Sequence, residues 1–300
     1  MRITLAMSQQ QTLQDLNNNS TEISRLGSAI SSGTTLAKPS DDPSAWAQAM
    51  NIKQGLREYD AISDNLDFVT SWGNTTDGAL NQLYDVIAQA KNAAIKAQGP
   101  DCDEARASLV ATVDGLLEDA LSLANTQHGD RYIFSGLADA KPYSMDASGN
   151  AIYAGDSKAL VVRTGTGTNN NETINLTGPE VFDHTNSSGG TSNLLEDLYA
   201  LKQAMSSGDT TALASLQDDL DLAAKNVSKC QSKSGLLLSR IEDKQSALLT
   251  ITTNRKDTLS NIQDTDLANA ITQLQTKQTA LQAALQVTGM LSNLNLTQYL

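Results

Sequence analysis

Residues 264–285 read DTDLANAITQLQTKQTALQAAL, and Leu267, Ile271, Leu274, Leu281 and Leu285 follow a four-three pattern in which Gln278 is the single polar break. That spacing lays one aliphatic stripe along a helix. Val287, Leu291 and Leu294 carry apolar character onto an adjoining face, so the expected helix runs from Asp264 to about Gln298, roughly 50 Å at about 1.5 Å per residue. A solitary amphipathic helix draws most of its stability from packing rather than propensity, so this one needs a partner.

The other end of the chain supplies a matching seam. Leu16, Ile23 and Ile30 recur at seven-residue steps, flanked by Leu13 and Leu26. Charge is sparse at both ends: residues 1–30 carry only Arg2, Asp15, Glu22 and Arg25, and residues 261–300 only Asp264, Asp266 and Lys277. The two terminal segments are therefore expected to pair with each other, and equivalent segments of other copies to cover what stays exposed.

Inward from the first seam, Lys38-Pro39-Ser40-Asp41-Asp42-Pro43 reads as a turn followed by a helix start. The Asp42 carboxylate can accept from free N–H groups of the next turn, and Pro43 suits the first helical position, where no donor is required. That helix is expected to reach about Gln98, with Ile52, Leu56, Tyr59, Ile62, Leu66 and Val69 on one face and candidate interruptions at Gly55, Gly73 and Gly78. Gly99-Pro100 ends it, and Asp101 with Glu104 has the form of a capping box for a helix to about Asn125.

The texture changes at Gly129. Residues 129–190 hold 9 of the 19 glycines and half of all Phe and Tyr, with β-prone runs at Arg131–Phe134, Ala151–Tyr153, Leu160–Arg163 and Thr173–Leu176. Helical spacing resumes with Leu194, Leu195, Leu198 and Leu201, pauses before Asp209, a candidate cap, and continues to about Ile262. The expected fold is mainly α: an elongated antiparallel helical bundle or coiled-coil rod with a small inserted β-rich domain, its N- and C-terminal helices paired at one end. Its segments are 1–38 (N-terminal helix), 39–128 (first rod helices), 129–191 (β-rich insert), 192–262 (second rod helices) and 263–300 (C-terminal helix).

Composition excludes several functions. An aromatic content of 4% disfavours an aromatic-cored sandwich, and a net charge of −13 lacks the basic footprint that nucleic acid requires. The uncharged stretch 278–300 is interrupted throughout by Gln, Asn and Thr, so no membrane insertion is expected. The first residues are too short and too polar for a cleaved secretion signal. His128 and His184 fall in no metal-ligand spacing, and His128 reads as a solvated turn histidine. Gly165-Thr166-Gly167 lacks the third glycine of a phosphate cradle. The carboxylate clusters at 101–104, 218–221 and 242–243 read as caps and solvated helix faces, and Trp46 and Trp72 as packing residues. Cys102 and Cys230 read as two unconnected thiols, with a single bridge left open. No catalytic residue, cofactor or metal site is expected.

Three motifs converge on one family. Ser32-Gly33 followed by Pro39-Ser40-Asp41-Asp42-Pro43, the stretch Gly129-Asp130-Arg131-Tyr132-Ile133-Phe134-Ser135-Gly136, and the ending Leu294-Asn295-Leu296-Thr297-Gln298-Tyr299-Leu300 together resemble the flagellin family. All three are closer to its hook-filament junction members than to its filament subunits. Ser31-Ser32-Gly33-Thr34-Thr35 departs from the family in lacking the usual basic residue after this glycine, and residues 141–190 carry no match.

The resemblance implies a structural, non-enzymatic subunit of the bacterial flagellum at the hook-filament junction, with a filament flagellin as the alternative. It implies export through the flagellar type III apparatus, an extracellular location, and an export chaperone on the C-terminal helix. The neighbours it implies are hook-associated protein 1, flagellin and further copies of this chain. The residues expected to form the assembly interface are Leu13, Leu16, Ile23, Ile30, Leu267, Ile271, Leu274, Leu281, Leu285, Leu291 and Leu294, with Asp41, Asp42 and Pro43 fixing the hinge. Sparse charge makes such a seam easy to desolvate, and ordering it costs about 1 to 2 kcal/mol per residue. The terminal segments are therefore expected to fold on assembly.

Overall fold

The computed structural model describes residues 5–99, 102–167 and 170–297, with side chains described for 7, 10–99, 106–167 and 170–290. Helix α1 (Leu5–Ser32) stops where Gly33 takes a φ of +72°, a left-handed C-terminal cap that costs glycine little. Asp42 Oδ1 then accepts hydrogen bonds from the N–H groups of Ser44 and Ala45 at 2.9 and 3.0 Å, and α2 (Pro43–Ala97) opens behind it. The two carboxylate bonds satisfy donors that a helix start leaves free. Helix α3 (Cys102–Ala124) follows; the expected Asp101–Glu104 box lies outside the described residues.

Candidate breaks at Gly55, Gly73 and Gly78 do not occur, because α2 runs through all three. Gly73 has a different reason. A Cβ built there would lie 2.6 Å from Leu238 Cδ2, so this glycine lets two helices approach closely.

Between α3 and the next long helix the chain makes four separate two-stranded antiparallel ladders rather than one sheet, counted among the described residues. They are β1 (Gln127–His128) with β2 (Arg131–Tyr132), β3 (Tyr143–Met145) with β4 (Ala151–Tyr153), β5 (Val161–Arg163) with β6 (Asn171–Thr173), and β7 (Asp183–Thr185) with β8 (Thr191–Asn193). A short helix, α4 (Gly178–Phe182), sits between the third and fourth ladders. The strand expected at Thr173–Leu176 therefore falls three residues late. Past Thr173 the ladder is replaced by the Asn175 side chain, which accepts from Leu160 N at 2.7 Å and donates to the Lys158 carbonyl at 3.0 Å.

Helix α5 (Leu194–Ser207) is capped by Asn193, and α6 (Thr210–Gln263) by Asp209, whose Oδ1 accepts from Thr211 and Ala212. Asp266 caps α7 (Leu267–Thr297) through the N–H of Asn269. Helix occupies 71% of the chain.

Contacts divide the chain into two compact units, Met1–Arg57 with Thr250–Leu300 and Glu58–Leu249. In the first, α1 and α7 pack against each other. In the second, α2 and α6 run antiparallel, as Gln231 donates to Asn81 and Gln245 to Asp67. Its core joins Leu66, Trp72, Leu80 and Ile87 of α2 to Val113 of α3, Leu198 of α5 and Leu220 and Val227 of α6. Phe134, Tyr143 and Phe182 add an aromatic group to that core. His128 is not the solvated residue expected: its ring stands edge-on to Trp72 at 5.7 Å, and its Nδ1 lies 3.0 Å from Thr75 Oγ1. The short turn at Gly129 places it there, where the tryptophan face is available.

Candidate functional site

Helix α7 carries two apolar faces. Its less accessible positions are Ala270, Leu274, Lys277, Leu281, Ala284 and Thr288, a four-three alternation of the kind that faces a partner helix. On α1 the corresponding positions are Thr12, Leu16, Asn19, Ile23, Leu26 and Ile30, in the same alternation. The two seams meet, with Leu26, Ala29 and Ala270 fully buried.

The anticipated interface residues divide between two faces. Leu16, Ile23, Ile30, Leu274 and Leu281 are half-buried in the seam. Leu13, at 63% exposure, and Leu285, at 55%, face away from it, as do Leu267 and Ile271. Val287 and Met290 continue that outer face, Met290 at 66% exposure. The side chains of Leu291 and Leu294 lie outside the described residues. The pairing seam uses Ala270 and Ala284, positions passed over by a pattern built on Leu and Ile, because small residues let paired helices approach.

A polar strap fixes where the two helices meet. Thr35 donates from its N–H to the Gln263 carbonyl at 2.7 Å, and Thr265 donates to the Gly33 carbonyl at 2.9 Å. Thr34 and Asp264 form an isolated antiparallel bridge between them. These partners stand more than 200 positions apart in sequence, and neither short segment carries a local signal for the other. Asp41 closes the following turn, its Oδ2 accepting from Ala37 and Lys38 at 3.1 and 2.9 Å. Asp42 and Pro43 then start α2 as described.

Elsewhere the reactive groups are held in structural roles. Among the described residues no group of three or more His, Cys, Asp and Glu could hold a metal ion. Cys230 is a free, buried thiol, and burial first, then the Glu180 charge, pushes its pKa up to about 11. Such a thiol is a poor nucleophile. No helix among the described residues is long and apolar enough to cross a membrane.

His184 of β7 and Asp197 of α5 form a buried ion pair, Nε2 to Oδ2 at 3.1 Å, with side chains 2% and 6% exposed. The approach misses hydrogen-bond alignment. Ser192 Oγ donates to the other Asp197 oxygen. Burial pulls the imidazole pKa down, but Asp197, with the Phe182 carbonyl and the Asp219 charge, outweighs it and raises the pKa above 6.5. A raised histidine pKa stabilises the folded chain fully below pH 6.5 and loses that contribution as pH rises through the folded-state value. Urea unfolding of the full chain against His184→Gln should therefore show a stability advantage for the parent that shrinks from pH 6 to pH 9. An advantage constant across that range would remove the charged pair as its source.

Residues 3–139 match the bacterial flagellin N-terminal helical region, and residues 218–300 match the bacterial flagellin C-terminal helical region. Over 99% of both chains, the sequence is 26% identical to the Escherichia coli protein named flagellar hook-associated protein 3. It is 26% identical to the Salmonella typhimurium protein of the same name over 95% of each. Among solved structures, Xanthomonas campestris FlgL superposes with a TM-score of 0.61 at 17% identity, covering 70% of this chain and 99% of that one. The flagellar junction protein FlgL from Legionella pneumophila gives 0.59 at 17% identity, covering 71% and 100%. At these identities the two structures speak for the fold.

Proposed function

Since the chain belongs to the bacterial flagellin family, we propose that it is the structural subunit that joins the flagellar hook to the filament, polymerising through its terminal helices. The observation that carries this reading is the second apolar face of α7. Leu267, Ile271, Leu285, Val287 and Met290 stand exposed on a helix that already has a partner in α1. Contiguous apolar surface of this kind marks an interaction site. Copies of this chain cover it in the assembled layer, with hook-associated protein 1 on one side and flagellin on the other.

The remaining assignments follow from the same role. Segments 1–38 and 263–300 form the terminal coiled-coil part, 39–128 and 192–262 the rod helices, and 129–191 the β-rich insert. Asp41, Asp42 and Pro43 act as the hinge and cap between the first helix and the second. The chain leaves the cell unfolded through the flagellar type III export apparatus, and before that an export chaperone shields α7. The protein works extracellularly and catalyses no reaction. A filament-subunit role has less support, because both named relatives matched over nearly the whole chain are hook-associated proteins.

Immunogold labelling of intact flagella tests the placement. A single band of gold at the distal end of the hook is expected. Label distributed along the filament would reject the junction role and favour the filament subunit.

A further inference from the structure

Tyr143 is the most confined polar group in the β-rich region. It is 1% exposed, its hydroxyl is buried, and that hydroxyl has no hydrogen-bond partner. Gly178 leaves room beside it: a Cβ at that position would lie 3.0 Å from the phenol oxygen. Burial pushes the phenol pKa well up, and the neighbouring Asp183 charge pushes it further, so the group stays protonated.

The phenol borders an open recess of about 230 Å³, lined also by Tyr153, Pro179, Asp183, Asn193 and Glu196. Asp183 Oδ1 accepts from Asn193 Nδ2 at 2.6 Å, and Glu196 Oε1 accepts from Ala151 N at 3.1 Å. The second oxygen of each carboxylate receives no hydrogen bond from the described residues. This sets the pair apart, because other carboxylates of the same unit have cations: Glu172 has Arg240 and Lys244, Glu180 has Lys233, and Asp114 has Lys202. No Lys, Arg or His lines the recess.

We propose that this recess binds a primary alkylammonium group. Two free carboxylate oxygens and the phenol oxygen offer three acceptors to the three N–H bonds of an ammonium. The tyrosine rings, with centroids 5.1 Å apart, and Pro179 provide an apolar wall for the alkyl stem, and aromatic faces attract cations. Tyr143 is too buried to present an open ring face, which disfavours a flat sugar stacked upon it. The ammonium comes either from a free amine or from a lysine side chain of a second copy of this chain.

The test titrates n-butylammonium into the full-length ¹⁵N-labelled chain and follows the backbone amides of Ala151, Thr191 and Asn193 by NMR. Saturable shifts with a dissociation constant on the order of 1 mM are expected. Asp183→Asn and Glu196→Gln keep the acceptor oxygens used by Asn193 and Ala151 but remove the charge. Each should weaken binding about tenfold, the loss of one charge-assisted contact. Tyr143→Phe should weaken it severalfold without loss of stability, since the hydroxyl has no partner to lose. Shifts that fail to saturate by about 50 mM, or that persist unchanged in both charge variants, would show that ordered water alone fills the recess and overturn the proposal. Zero-length carbodiimide coupling of concentrated chain distinguishes the sources. A link from Asp183 or Glu196 to a lysine of another copy assigns the lysine, and butylammonium binding without such a link assigns a free amine.

Discussion

Removal of residues 281–300 is expected to abolish incorporation into the flagellum while leaving the 58–249 unit folded. The truncation removes Leu281 and Ala284 from the seam facing α1, and Leu285, Val287 and Met290 from the outer face. Both of the surfaces by which α7 can pack are lost together. The core around Trp72, Phe182 and Leu198 lies entirely in the other unit, so its cooperative unfolding should survive. Measuring the truncated chain in the culture medium separates failed assembly from failed export. Full-length filaments on cells supplied only with the truncated chain would remove the terminal seam from assembly.

The same physics applies to the free chain. Only Leu26 and Ala29 of α1 and Ala270 of α7 are fully buried among their described side chains, which is little packing for two long helices. Amides of residues 5–30 and 267–297 should exchange about a thousandfold faster than those of 213–241, because opening near sparsely packed ends costs far less than opening the core. Strong protection of both terminal helices in the free chain would sink the idea that they order on assembly.

Phe182→Ala is expected to destabilise the 58–249 unit by about 3 to 5 kcal/mol, the range for deleting a buried aromatic ring and leaving a cavity. Phe182 is fully buried, edge-on to Phe134 at 5.7 Å and tilted against Tyr143 at 4.9 Å. Three elements converge on that ring: the segment after β2, strand β3 and helix α4. Urea denaturation read by tyrosine and tryptophan fluorescence measures the loss. Phe182→Leu keeps more of the volume and should cost less. A change below about 1 kcal/mol for the alanine variant would mean that the surrounding loops collapse into the space, so that the aromatic group does not organise the region.

Much of the helical architecture was legible in the residues themselves. Asp42-Pro43, Asp209 and the paired seams report local events: a carboxylate reaching the next turn, a proline that needs no donor, an apolar residue every three or four positions. Each depends on neighbours within about one turn, and each appears in the folded chain as expected. The strands were read less well. Gln127–His128 and Asp183–Thr185 are polar pieces held by their ladder partners and by turns, and no alternation in the sequence marks them.

By itself, then, the sequence determined a mainly helical chain with nearly neutral ends, a glycine-rich insert and family motifs at three places. Only the tertiary structure decided which stripe of α7 meets α1. Several stripes of that helix are apolar, and the choice rests on Ala270 and Ala284 allowing close approach, a property of the pair and not of either segment. The same holds for the buried His184–Asp197 contact and for the carboxylates left without cations around Tyr143. Those arrangements join residues distant in sequence, and the free energy of burying or pairing a charge depends on what the fold brings beside it.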